Sequence, residues 1–111
     1  MNVLNTTDLA ERHCASCVNA LDIGRIQMLS EKLKTRWQIV NNQRLRQEFI
    51  FDSFMDAMVF VNDIAALAED EGHHPDMAIR HRRVVLELTT HSVEGLSVND
   101  FILARKIEMC C

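Results

Sequence analysis

Apolar residues recur at three- and four-residue steps in three stretches of this chain and alternate with polar residues in the stretches between. Ile23, Ile26, Leu29 and Leu33 form the first helical stripe, with Asp22 placed to cap its start and an end expected near Arg36. Trp37 to Val40 is a short apolar run, Asn41-Asn42-Gln43 is a polar turn, and Leu45, Phe49 and Phe51 share strand parity, which together predict a hairpin. Asp52 is then expected to cap a long helix in which Phe54, Ala57, Met58, Val61, Ile64, Ala65 and Ala68 follow helical spacing up to a stop at Gly72. Met55, Val59 and Ala66 lie off this main stripe, so two readings are open: a broad core face, or a second side that packs against another subunit.

After His73-His74-Pro75 the period returns to two. Met77 to His81 and Val84 to Thr90 predict two strands joined around Arg82-Arg83, with Val84, Leu86 and Leu88 alternating against Val85, Glu87 and Thr89, and with His91 on the polar parity. Ser97-Val98-Asn99-Asp100 has the spacing of a capping box, with Asp in place of the usual Glu, and starts a last helix through Phe101, Ala104 and Ile107. Residues 1–20 show only weak periodicity and read as a loosely ordered lead. The order helix, two strands, helix, two strands, helix implies an α+β fold in which helices cover one face of an antiparallel sheet. No linker, repeat or boundary divides the chain, so residues 1–111 read as a single domain.

With 48% hydrophobic and 25% charged residues, the composition is that of one soluble domain. The net charge of -4 lacks the basic footprint of a nucleic-acid binder, and no apolar run approaches the roughly 20 residues that span a bilayer. Cys14 and Cys17 sit near one end and Cys110 and Cys111 at the other, which does not suit a stapled scaffold and points to a reducing, cytoplasmic setting. The single Cys14-Ala-Ser-Cys17 motif is open to three readings: free thiols, redox chemistry, or a zinc site shared with the terminal cysteines. Arg80-His81-Arg82-Arg83 reads as a solvated turn or as a local attraction for anions.

Histidine carries the candidate chemistry, because its unperturbed pKa of about 6.5 suits proton transfer near neutral pH. Pro75 disfavours the helical conformation at His74, so the pair His73-His74 must turn off the long helix. His91 can reach the same place if the last hairpin folds back beside the Pro75 loop. The other reading of the pair is that it complements the negative end of the helix dipole. His73, His74, Asp76 and His91 are also metal-ligand types, but the compact spacings of zinc motifs are missing.

These residues carry a resemblance to the pterin-4a-carbinolamine dehydratases. It runs from Phe49 to Glu108: Phe49-Ile50-Phe51 before the long helix, Glu69 near its end, His73-His74-Pro75, Thr90-His91 with His91 seventeen residues after His74, and Gly95-Leu96-Ser97 followed by Asp100, Leu103-Ala104 and Ile107-Glu108. The Cys-x-x-Cys lead is similar to that of many bacterial members. The resemblance implies a four-stranded antiparallel sheet with three helices on one face, and a homodimer or homotetramer assembled through sheets and through the long helix. It implies a hydro-lyase that removes water from 4a-hydroxytetrahydropterin to give quinonoid dihydropterin, in the recycling of tetrahydrobiopterin or a related pterin for an aromatic amino acid hydroxylase.

That chemistry needs an acid at the 4a-oxygen and a base at N5, and no metal or organic cofactor. His74 and His91 are assigned the proton exchange and His73 a positioning and assisting role. By resemblance Glu69, Pro75, Thr90 and Ser92 line the pterin pocket. Many members have aromatic residues where this chain has Met77 and His81, so an altered wall near the ring is expected. The rival reading is a noncatalytic dimerisation or assembly partner, since the same fold serves a vertebrate homeodomain transcription factor and an assembly-factor branch.

Overall fold

A computed structural model describes residues 8–111. The elements are α1 (Ile23–Ser30), β1 (Gln38–Val40), β2 (Arg44–Ile50), α2 (Phe54–Glu71), β3 (Asp76–Arg80), β4 (Arg83–Leu88) and α3 (Val98–Glu108), with short 3₁₀ turns at Leu9–Glu11 and His91–Val93. The sheet is antiparallel throughout, in the order β1-β2-β4-β3. The predicted α+β architecture of four strands and three helices is therefore present.

One face of the sheet builds the core. Leu45 and Phe49 of β2 and Val84, Leu86 and Leu88 of β4 are buried at alternate positions, and they pack with Ala57, Phe60, Val61 and Ile64 of α2 and with Phe101, Leu103, Ala104 and Ile107 of α3. Phe60 ties the layers together, with ring centroids 4.9 Å from those of Phe49 and Phe51. Trp37 closes one edge of the core. Its Nε1 donates to Glu108, whose carboxylate also accepts from the Lys34 and Thr35 amides and the Thr35 hydroxyl.

Several boundaries differ from the sequence pattern. Helix α1 stops at Ser30, and Leu33 packs half-buried against the core from beyond its end. The cap of α2 is Ser53, whose hydroxyl accepts from the Asp56 amide, and not Asp52. The buried stripe of α2 is Ala57, Phe60, Val61, Ile64 and Ala68, while Phe54 and Ala65 are exposed. Met55, Val59 and Ala66 are exposed too, so the surplus apolar positions face away from this chain's core. The last hairpin turns at His81-Arg82, with His81 at φ 55, a left-handed conformation in which His is enriched.

The part of the lead from residue 8 onward docks on the domain; residues 1–7 of the expected loose segment lie outside the described residues. Leu9 is 2% exposed, and long-range hydrogen bonds to Glu71 and Asn99 fix Cys14 and Ala15. Periodicity missed this because a docked coil has no repeat to reveal it.

Candidate active site

The histidines meet because of register. Asp76 pairs with Glu87 at the open end of the β3–β4 hairpin, so the residues just before β3 come to lie beside those just after β4. The first group is His73-His74-Pro75 and the second is Thr89-Thr90-His91. Gly72 makes the turn off α2, with φ 66 and its amide bonded to the Ala68 carbonyl, a C-terminal conformation that suits glycine. The His73 amide bonds to the same carbonyl at 3.2 Å.

A cavity of about 280 Å³ opens here, lined by His73, His74, Thr90, His91 and Ser92 together with Gly72, Thr89, Asn99 and three residues of the lead, Ala15, Ser16 and Val18. Five of the seven residues singled out from the sequence thus share one cavity. Of the other two, Glu69 is hydrogen-bonded to His74, Oε2 to Nε2, at 2.5 Å, and Pro75 adjoins the pair in the chain without lining the cavity. His91 sits on an exposed 3₁₀ turn and not at a strand end as its parity suggested, because β4 stops at Leu88 and Thr90 bridges instead to Gly95.

Each histidine has a different setting. His73 Nε2 lies 2.7 Å from Asp100 Oδ1, with the His73 side chain 12% exposed and the carboxylate fully buried. The other oxygen of Asp100 accepts from the Thr90 hydroxyl at 2.7 Å and from the Ser97 amide at 2.9 Å, the second bond completing the expected capping box. His74 and its Glu69 partner are both open to solvent. His91 is exposed and has no side-chain hydrogen bond among the described residues. The site therefore combines one largely buried imidazole with two exposed ones.

The lead and the end of α2 supply residues that spacing did not single out. Burial would raise the Glu71 carboxyl, but Lys106, the Cys14 amide and His13 outweigh it and hold the group at about 2. Burial, helped by the negative charge of Glu71, pushes the Cys14 thiol up to about 12, so it is a poor nucleophile. All four cysteines are free, and no three His, Cys, Asp or Glu side chains among the described residues are grouped so as to hold a metal ion. Met77 and His81 do not line this cavity. Met77 borders a larger one, about 420 Å³, on the uncovered sheet face, and His81 stacks on Phe54 at a centroid distance of 6.5 Å.

Residues 19–110 match the family described as Pterin 4 alpha carbinolamine dehydratase. The chain belongs to this family. Its relatives include proteins provisionally named pterin-4-alpha-carbinolamine dehydratase from Alkaliphilus metalliredigens, 38% identical over 91% of this chain and 94% of that one, and from Nitrosomonas eutropha, 39% identical over 95% of each. A crystal structure titled transcriptional coactivator/pterin dehydratase from Brucella melitensis superposes with a TM-score of 0.78 at 30% identity, covering 83% of this chain and 98% of that one. The pterin dehydratase fold thus accounts for the architecture. No helix among the described residues is long and apolar enough to cross a membrane.

Proposed function

We propose that the protein is a 4a-hydroxytetrahydropterin dehydratase that works by histidine acid and base catalysis. The observation that carries this reading is the convergence of His73, His74 and His91 on one cavity in a chain of the pterin dehydratase family. In the reaction the C4a–O bond breaks as the oxygen takes a proton and leaves as water. The N5–H proton passes to a base, its electron pair forms the N5=C4a bond, and quinonoid dihydropterin results. Two imidazoles on either side of the carbinol centre satisfy both transfers, each contributing on the order of 10²- to 10⁴-fold.

His74 and His91 take these two roles. They are the more exposed pair, so both can exchange protons with solvent between turnovers. His73, tied to Asp100, holds the ring and assists. Glu69 serves the polar pterin edge through His74, and Thr90 and Ser92 complete the wall with Pro75 behind the pair. The setting is cytoplasmic recycling of a tetrahydropterin for an aromatic amino acid hydroxylase, with no metal or organic cofactor in the chemistry. A dimer formed through the sheet is supported by β3, an edge strand with all five residues exposed, and further assembly through α2 by the exposed Met55 and Val59.

The test is the decay of the 4a-hydroxytetrahydropterin ultraviolet band with purified protein. Acceleration at catalytic amounts is expected. A decay rate unchanged at stoichiometric protein would remove the dehydratase reading and favour the second one, a noncatalytic assembly partner, for which the coactivator title of the Brucella structure is the specific support.

A further inference from the structure

The lead reaches the histidine cavity from outside the family match. Ala15, Ser16 and Val18 line it, although the match begins only at residue 19. Two buried side chains hold the segment there. Asn99, 4% exposed, accepts from the Ala15 amide with Oδ1 at 2.9 Å and donates from Nδ2 to the Ala15 carbonyl at 2.8 Å. Glu71 accepts from the Cys14 amide at 2.8 Å and lies 2.9 Å from His13 Nδ1, while Lys106 donates to the same carboxylate at 2.7 Å. An amide side chain that satisfies both polar groups of one backbone residue fixes its place and its orientation together.

A packing role would explain why the lead is bound, but not why its small side chains are left bare against the histidines. Ala15 and Ser16 are both exposed, so neither is packing the core. A bicyclic pterin also has more edge than three imidazoles can cover, and the lead is the remaining wall of the cavity. We infer that Ala15, Ser16 and Val18 form a substrate-contacting wall of the pterin cavity, and that Glu71 and Asn99 are the positioning residues that set it. This inference rests on the dehydratase reading above. Glu71 does not line the cavity, so its influence on binding passes through the lead.

The experiment compares the intact protein with Ser16→Trp, Glu71→Gln and, as a bulk control in the lead outside the cavity, Arg12→Trp. KM and kcat are measured with 4a-hydroxytetrahydropterin, and Kd separately with 7,8-dihydrobiopterin by titration calorimetry. Ser16→Trp is expected to raise KM and Kd about tenfold or more with kcat within about twofold, the signature of lost uniform binding. Glu71→Gln should raise both by about threefold to tenfold without a matching fall in kcat, and Arg12→Trp should change neither. Unchanged KM and Kd in Ser16→Trp, or a loss confined to kcat, would overturn the inference while leaving the dehydratase reading in place. An intact protein that neither turns over nor binds the pterin would overturn both. Because Ser16 is exposed, the decisive variant does not depend on a core substitution being tolerated.

Discussion

Asp100 Oδ1 and His73 Nε2 are hydrogen-bonded at 2.7 Å, which joins the first turn of α3 to the residue that leaves α2. The carboxylate that caps a helix is the same one that aims an imidazole. Asp100→Asn keeps the size and leaves one oxygen to accept from the Thr90 hydroxyl and the Ser97 amide, but its N–H2 then faces His73 Nε2, which loses its carboxylate partner. The expected result is a stability loss of about 1–3 kcal/mol in urea unfolding and a kcat at least about tenfold lower in dehydration assays.

His91→Ala separates chemistry from folding. The side chain is exposed and makes no side-chain hydrogen bond among the described residues, so unfolding free energy should change by less than about 0.5 kcal/mol. On the proposed mechanism kcat falls by on the order of 10²- to 10⁴-fold. A variant that is fully folded and fully active would remove His91 from the proton exchange.

Glu71 gives an acid limit to stability. Its folded value of about 2 lies below the ordinary 4.5, so its contribution is complete above pH 4.5 and is lost as the pH falls toward 2. A shift of this size corresponds to at most about 3 kcal/mol. Glu71→Gln should therefore lower stability near neutral pH and flatten its fall between pH 4.5 and 2, as followed by urea midpoints across that range.

Glu108 holds the connection between α1 and β1. Glu108→Ala leaves the Lys34 and Thr35 amides and Trp37 Nε1 without their acceptor, and Trp37 Nε1 is in a buried setting. A loss of about 2–4 kcal/mol is expected, with a red shift in the fluorescence of the single tryptophan as water reaches it.

The sequence is most readable where one local rule acts alone. Period two in β4, glycine at the end of α2 and the capping box of α3 each translate directly into backbone. The reading weakens where two rules compete or where a long-range bond decides. Ser53 takes the cap from its neighbour Asp52, and Phe60 enters the core in place of Phe54 because the sheet, not the helix, chooses the buried face. The gathering of the histidines was visible only as a condition on how the hairpin folds back. The resemblance supplied the spacing of His91 from His74, and the β3–β4 register supplied the reason for it. The lead was illegible, since its place depends on Glu71 and Asn99, residues 57 and 84 positions away.

The hairpin between the histidines also acts as a length gauge. His74 and His91 are seventeen residues apart in the chain, and nearly all of that interval is two paired strands and a two-residue turn. One residue added to β3 alone would shift one arm by about 3.3 Å and reverse the facing of every side chain beyond it, parting the imidazoles. One residue added to each arm would lengthen the hairpin yet leave its ends abreast. The spacing of the two proton carriers is thus protected against balanced changes in length and exposed to unbalanced ones.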